Sequence, residues 1–184
     1  MRTQSVPLIN RQYLDSMGHG LANAIKDYPG GGVRLQNGKG KDADIAFGPK
    51  RRAVGERGSG NETRYTVVAE IAISETETKL KRDVDFWLNP LSGNANLVIT
   101  IKANRQIPNI KINTWQRVNE RAHCTQTVSV TKTMGGSVNV TGPLRILFDA
   151  LFDRASSVPA ERDVFLSRAH LQSIAEDIWE DQGI

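Results

Sequence analysis

Residues 65–102, YTVVAEIAISETETKLKRDVDFWLNPLSGNANLVITIK, carry the strongest pattern in the chain. Two apolar runs, at 65–73 and 97–101, have the length and composition of buried strands. Between them, four apolar residues recur at helical spacing: Leu80, Val84, Trp87 and Leu88. We therefore predict a strand, an amphipathic helix and a second strand that runs parallel to the first, joined by a right-handed crossover.

The ends of the predicted helix carry their own signals. Ser74 is followed three residues later by Glu77, which is the spacing of a capping box. At the other end, Pro90 disfavours helical geometry in Asn89. The helix is therefore expected between Ser74 and Asn89.

Two carboxylates fall within predicted strands. Glu70 lies in the middle of the apolar run at 65–73, where an unpaired buried charge would lower the stability of the fold by several kcal/mol. Asp44 lies within a predicted strand at 43–47, although aspartate is depleted from strands. With another short strand at 33–36, these segments would form an antiparallel meander. Each acid must therefore be paired, protonated or bound to a cation.

Composition limits the class of protein. The chain has 184 residues, of which 39% are apolar and 24% charged, as expected for one domain with a substantial core. We find neither an apolar run of about 18 residues nor a signal-peptide pattern, so an intracellular location, cytoplasmic or nuclear, is expected, with no membrane partner. The single cysteine, Cys124, excludes an intrachain disulfide and a cysteine-rich zinc site.

The charge distribution favours a polyanionic partner. The net charge is +4, but residues 160–184 carry −4, so the rest of the chain carries +8. The segment 49–64 is rich in glycine and in cations, and four of these are candidates for contacts with nucleic-acid phosphates: Lys50, Arg51, Arg52 and Arg57. The alternative is a mobile, solvated surface loop.

The remaining segments predict elements around this centre. A first helix is expected at 10–28, and three alternating segments, 109–118, 124–134 and 137–140, predict an antiparallel β extension. A short helix is expected at 143–152, and Ser167 is the expected N-cap of a last helix. Trp87 and Trp179 are expected in the core, whereas Trp115 lies in a polar alternating strand, where it is freer and could stack on a base.

The order helix, three strands, helix, strand, with Asp44 and Glu70 in the second and third strands, resembles the PD-(D/E)XK nuclease-like superfamily. The strings KDAD, VVAEIAISET, LKRDVDFWL and LVITIK are similar to those of its fungal PD-(D/E)XK-like domain proteins. The resemblance implies an α/β fold with a restriction-endonuclease-like core: a helix, a three-strand meander, a helix and a parallel strand. It implies a single domain, 1–184, in which residues 10–118 form the core and 119–184 supply the antiparallel β extension and the C-terminal helices.

The same resemblance implies a metal site. Asp44 matches the aspartate of the motif, although Ala43 replaces its proline, and Glu70 matches the acidic residue of the second half. In active members of the superfamily the two carboxylates bind a divalent cation, here Mg²⁺ or Mn²⁺. Such an ion neutralises charge on the phosphate and acidifies a bound water.

One motif position departs from the superfamily. The lysine that orients the attacking water is replaced by Ala72. Its ammonium could be supplied from another position, and Lys79 on the predicted helix and Lys102 at the end of the next strand are the candidates. Catalysis is therefore expected to involve Asp44, Glu70 and one of these two lysines.

Three functions remain open. The first is a magnesium-dependent nuclease that hydrolyses phosphodiester bonds, with DNA favoured over RNA as partner. The second is a catalytically inactive pseudo-nuclease that binds nucleic acid or protein, which Ala72 favours. The third is an effector or regulatory module whose basic loop contacts an acidic protein. Purely structural roles are the alternative for the acids, with Glu70 paired to Arg64 or Arg82 and Asp44 capping a turn.

Overall fold

A central seven-stranded sheet organises the fold in the computed structural model, which describes residues 24–50, 64–73 and 76–184. The strands in these ranges are β1 (Ile25–Pro29), β2 (Gly32–Arg34), β3 (Gly40–Asp42), β4 (Ile45–Pro49), β5 (Val67–Ala72), β6 (Leu97–Ala103), β7 (Asn109–Val118), β8 (Arg121–Lys132), β9 (Val138–Val140), β10 (Leu144–Ile146) and β11 (Val164–Leu166). The helices in the same ranges are α1 (Glu77–Leu88), α2 (Phe148–Phe152) and α3 (Arg168–Gln182). The main sheet has the order β1-β4-β5-β6-β7-β8-β9, and its neighbours are antiparallel except β5 and β6. The fold is therefore mixed α/β with a mostly antiparallel sheet.

The β5-α1-β6 unit confirms the strand, helix and parallel strand predicted from the central stretch. Strands β5 and β6 pair in parallel from Val67 with Leu97 to Ala72 with Lys102. The apolar stripe of α1 is buried against the sheet: Leu80, Val84, Trp87 and Leu88. The N-cap is Thr76, whose hydroxyl accepts the backbone N–H of Lys79, and the predicted cap Ser74 lies outside the described residues.

The first predicted helix, 10–28, is wrong at the residues that the structure describes, 24–28. Residues 10–23 lie outside the described part of the chain, but Ile25–Pro29 forms strand β1 and pairs with β4. Ile25 is buried in the core, and the Tyr28 ring packs edge-on against Tyr65. Pairing with β4 and burial of Ile25 outweigh the helical spacing on which the prediction depended.

The predicted meander is also rearranged. The strand expected at 33–36 becomes β2, which pairs with β3 in a separate two-stranded hairpin. Strand β1 takes its place beside β4. Asp44 precedes β4 and does not lie inside it, because the strand begins at Ile45. The hairpin β2–β3 is therefore inserted between the first two strands of the main sheet.

The antiparallel extension is confirmed, with β7, β8 and β9 in sequence along one edge. Strand β8 begins at Arg121, earlier than predicted, and the β7–β8 register shifts at Thr114 and Trp115. The helix predicted at 143–152 is wrong in its first half, where Leu144–Ile146 pairs with Val164–Leu166. Leu144 and Ile146 are buried and Arg145 between them is exposed, which is the alternation typical of a strand.

The sheet is covered on both faces. Helix α1 covers one face, where Ala46, Val68 and Val98 pack against Val84 and Trp87. The C-terminal elements cover the other face, and Ser167 caps α3 as predicted by accepting the N–H of His170 at 3.2 Å. In the ranges that the structure describes, no helix has the length and apolar character needed to cross a membrane.

Candidate active site

The two acids singled out by sequence lie side by side at the start of β4. In the antiparallel register of β4 and β5, Ile45 pairs with Ala69. Asp44 precedes Ile45 and Glu70 follows Ala69, so these two residues lie opposite each other. Side chains at opposite positions share a face of the sheet and have Cβ atoms about 5 Å apart. The negative charge of Asp44 contributes to raising the pKa of Glu70, as expected at such a separation. The fold therefore brings these two predicted residues together.

Asp44 completes the hydrogen-bond ladder of the neighbouring strand. Its Oδ2 accepts the backbone N–H of Ile71 at 2.7 Å. Because β4 begins at Ile45, this N–H lies beyond the backbone of β4, and the carboxylate takes the place of a carbonyl oxygen. The Asp44 side chain is exposed and is held by this bond next to Glu70.

Glu70 is buried and bound on two sides. Its side chain is 8% exposed, and its Oε1 accepts a hydrogen bond from the indole Nε1 of Trp87. The same oxygen lies 3.3 Å from the Nζ of Lys41. Of the two arginines considered from sequence, Arg64 and Arg82, neither pairs with Glu70, and Arg64 instead donates to Asp153 at 2.6 Å. The ion-pair partner of Glu70 in the described part of the chain is thus Lys41.

Lys41 links Glu70 to helix α1. It lies in β3, and its Nζ is 3.1 Å from Asp83 as well as 3.3 Å from Glu70. Burial by itself lowers the pKa of Lys41, but the charges of Glu70 and Asp83 together outweigh burial and leave this pKa above its usual value. One ammonium, 21% exposed, therefore neutralises two carboxylates from different elements.

The pKa of Glu70 is also raised above its usual value. Burial is the largest cause, because it disfavours the carboxylate. The hydrogen bond from Trp87 and the charge of Lys41 act in the opposite direction, and the charge of Asp44 adds to burial. The pKa of Glu70 therefore depends on Lys41, Trp87 and Asp44 as well as on burial.

The two lysines predicted to replace the motif lysine lie at the same end of the sheet. Lys102 is in register with Ala72 on the next strand, and its Nζ is 3.2 Å from Glu77. Lys79 is exposed in the first turn of α1. The structure pairs Glu70 with Lys41, a partner that was not predicted from sequence.

The predicted phosphate-contact segment begins at the other end of β4. Lys50 follows Pro49, whereas Asp44 precedes Ile45, so the five residues of β4 separate them by about 20 Å. Arg51, Arg52 and Arg57 lie outside the described residues. Only a ligand longer than one nucleotide could contact Lys50 and the two acids together.

Lys41, Asp83 and Trp87 were not identified as site residues from sequence. Lys41 stands three positions before Asp44 in the string KDAD, but its contact with Asp83 depends on how the hairpin folds. Asp83 and Trp87 are four apart and share a helix face, so an acid beside the apolar stripe was a usable signal.

Asp44 and Glu70 are of the residue type that binds Mg²⁺ in proteins. Mg²⁺ is usually held by one or two carboxylates and keeps several waters. Among residues 24–50, 64–73 and 76–184, no group of three or more His, Cys, Asp or Glu side chains is arranged to hold a metal ion. A metal here would therefore be held by two protein ligands, with Glu70 shared with Lys41.

No protein-family model, curated protein or solved structure matches this chain. Fold alone does not define function, since one fold supports many activities. The function is therefore inferred from the side chains of the site.

Proposed function

We propose that this protein is a metal-dependent nuclease of the PD-(D/E)XK type, which hydrolyses phosphodiester bonds in nucleic acid, with DNA favoured over RNA. The observation that carries the proposal is the position of Asp44 opposite Glu70, with the Lys41 ammonium 3.3 Å from Glu70. Two acids and one cation at one point on a sheet are the groups that this chemistry requires.

The arrangement of strands supports the same proposal. Strands β1, β4 and β5 are antiparallel neighbours, and α1 leads from β5 to the parallel strand β6. We interpret this order as that of a restriction-endonuclease-like core, with the β2–β3 hairpin as an insertion. The helix that such a core places before its first strand would fall on residues outside those described.

Each site residue then has a distinct role. Asp44 and Glu70 would hold Mg²⁺ or Mn²⁺, and the bound ion would supply charge neutralisation at the phosphate and a more acidic water. Lys41 supplies the positive charge beside Glu70 that Ala72 cannot supply, and Asp83 holds the ammonium in place. Lys79 and Lys102 remain the alternative lysines at this end of the sheet.

A second candidate function is a catalytically inactive relative of such nucleases. The observation that favours it is that Trp87 and Lys41 already satisfy Glu70, as a purely structural buried carboxylate requires. In this case Lys41 serves as a built-in cation, and the protein binds nucleic acid without cleaving it.

Cleavage assays separate the two functions. Supercoiled plasmid and circular single-stranded DNA are incubated with the protein in Mg²⁺, Mn²⁺ or EDTA. We expect cleavage that requires the divalent ion and that falls about 100-fold or more in Glu70→Gln and in Lys41→Met. Lys39→Met, an exposed change on the same hairpin, is the matched control and should retain activity.

The possible outcomes have different meanings. Cleavage that persists in folded Glu70→Gln would reject this site. Binding without cleavage by the wild type under every condition would favour the inactive relative. If Lys41→Met remains active while Lys102→Gln or Lys79→Gln does not, the catalytic ammonium is one of the lysines predicted from sequence.

A further inference from the structure

On the sheet face beside α1, strand β7 carries side chains that are exposed or half-buried. Side chains of a strand alternate between faces. Ile110, Ile112 and Thr114 are buried on the opposite face of the sheet, whereas four residues between and after them face the α1 side: Lys111, Asn113, Trp115 and Arg117. Trp115 confirms this orientation, since it packs against the apolar cluster beneath α1. We call these four residues the β7 stripe.

The two longest strands are basic and lack acids. Strands β7 and β8 contain Lys111, Arg117, Arg121 and Lys132, and no aspartate or glutamate. The ion pairs of the described residues do not include Lys111 or Arg117. Lys111 is also directly opposite Lys102 on β6, and like charges at opposite positions destabilise a sheet. Glu77 already pairs with Lys102, so an anionic ligand would chiefly neutralise Lys111.

Trp115 gives the stripe an aromatic surface at its centre. Its side chain is half-buried, and its Nε1–H donates a hydrogen bond of 2.9 Å to Thr100 Oγ1. This bond fixes the indole, so little conformational entropy is lost when a flat ligand group contacts it. Aromatic side chains between cations are typical of surfaces that bind unpaired nucleotides, because bases stack on the ring and phosphates contact the cations.

The Arg117 end of the stripe opens into a cleft of about 440 Å³ between α1 and the β7–β8 hairpin. Lys81 lines it from the helix, while Leu88 and Ala122 contribute apolar surface. Two acids, Asp85 and Glu120, also line the cleft. It is large enough for a nucleotide-sized group.

The stripe lies close to the candidate active site. Glu70 is in register with Thr100, and Thr100 with Asn113 of the stripe. Two strand spacings separate Glu70 from Asn113, which is about 10 Å. Lys111 and Arg117 are six residues apart along β7, which is about 20 Å. A nucleic-acid ligand that contacts both cations must therefore be longer than one nucleotide.

We propose that the β7 stripe binds a single-stranded segment of polynucleotide, with phosphates on Lys111 and Arg117 and a base against Trp115. The proposal rests on the proposed function and deepens it, because it identifies the substrate as unpaired nucleic acid. In a duplex the base faces are stacked on one another, so Trp115 would contribute nothing to binding.

Binding is tested without cleavage. The anisotropy of a fluorescein-labelled thymidylate 15-mer is measured in EDTA between 50 and 200 mM salt. Lys111→Gln with Arg117→Gln should weaken binding about 10-fold and reduce the slope of log affinity against log salt by about 1.4, which corresponds to two lost phosphate contacts. The control, Arg105→Gln with Arg168→Gln, removes the same charge from exposed positions outside the stripe.

Variants of Trp115 separate stacking from a structural role. Trp115→Leu should weaken binding at least about five-fold. Trp115→Phe keeps a ring but loses the bond to Thr100, and should bind within about three-fold of the wild type. The charge variants leave the core intact and decide the proposal even where Trp115→Leu does not fold.

Four results would overturn the proposal. These are equal affinity in the charge variant and the wild type, equal weakening in the control, tighter binding of the matching duplex, and equal competition by polyglutamate, which would indicate an acidic protein partner. Because EDTA prevents metal-dependent cleavage, a protein that cleaves nothing but binds as described contradicts only the proposed nuclease activity.

Discussion

Replacing Lys41 with methionine should reveal how much the fold depends on one ammonium. The change leaves Glu70, whose side chain is 8% exposed, and Asp83, 16% exposed, without their shared cation. Removing one partner of a fully buried ion pair costs about 3–5 kcal/mol. Lys41 is 21% exposed and Trp87 still donates to Glu70, so we expect about 2–3 kcal/mol at pH 7. This corresponds to a fall in Tm of about 4–12 °C for a domain of this size.

The cost should depend on pH in a defined direction. Loss of Lys41 raises the pKa of Glu70 further, because the lysine charge lowers it in the wild type. The pKa of Glu70 is higher in the folded protein than its unfolded value of 4.5. Ionisation therefore lowers the free energy of unfolding as pH rises from 4.5 through the folded pKa. The deficit of Lys41→Met should therefore be largest above the folded pKa of Glu70 and should shrink towards pH 4.5.

Urea unfolding of a double-mutant cycle provides the measurement. Glu70→Gln removes the charge that Lys41 neutralises, so the double variant should recover part of the loss, with a coupling energy on the order of 1–3 kcal/mol. Lys39→Met, on the same hairpin but exposed, should stay within about 0.5 kcal/mol of the wild type. If Lys41→Met is no more costly than Lys39→Met, or if the coupling is about zero, the ion pairs do not stabilise the fold and the reasoning fails.

Three further changes test other contacts by chemical unfolding. Trp87→Phe removes the indole N–H that Glu70 accepts and some buried volume, so it should cost about 2–4 kcal/mol, and a cost below about 1 would contradict the bond. Gly93→Ala places a methyl 2.5 Å from the Cα and 2.7 Å from the carbonyl oxygen of Trp87, so the backbone must shift. We expect a loss of about 1–3 kcal/mol in the free energy of unfolding, and a neutral effect would refute the close approach. The guanidinium of Arg154 lowers the pKa of Glu161 from 4.5 to about 2, so Glu161 stabilises the fold above pH 4.5 and this contribution is lost as pH falls to about 2. The stability difference between wild type and Glu161→Gln should therefore be smaller at pH 3 than at pH 6, and a constant difference would show that the pair does not set this pH dependence.

The elements predicted correctly are those whose pattern lies within one contiguous stretch of sequence. The β5-α1-β6 unit follows from apolar runs and an amphipathic stripe, both of which are properties of contiguous sequence. Strand β1 was mistaken for helix because its conformation is decided by pairing with β4, far along the chain. Strand β10 was mistaken for the start of a helix for the same reason, since it pairs with β11.

The candidate site was predictable only in part. Glu70 and Asp44 stand out in sequence because acids are unexpected in segments predicted as strands, although Asp44 lies just before its strand. Lys41 has no such signal, since lysine in a turn-rich segment is ordinary surface composition. Its importance comes from three-dimensional placement, where the hairpin brings it between β5 and α1.

The charge partner of the buried Glu70 is supplied by the β2–β3 hairpin. Each of its strands has three residues, and it forms a two-stranded sheet apart from the main one. Isolated two-stranded ribbons are marginally stable, so its amides should exchange with solvent deuterium far faster than those of β5. The counter-ion of Glu70 is thus carried by a three-residue strand, and opening of the hairpin would remove that charge from the acid while the central sheet stays folded.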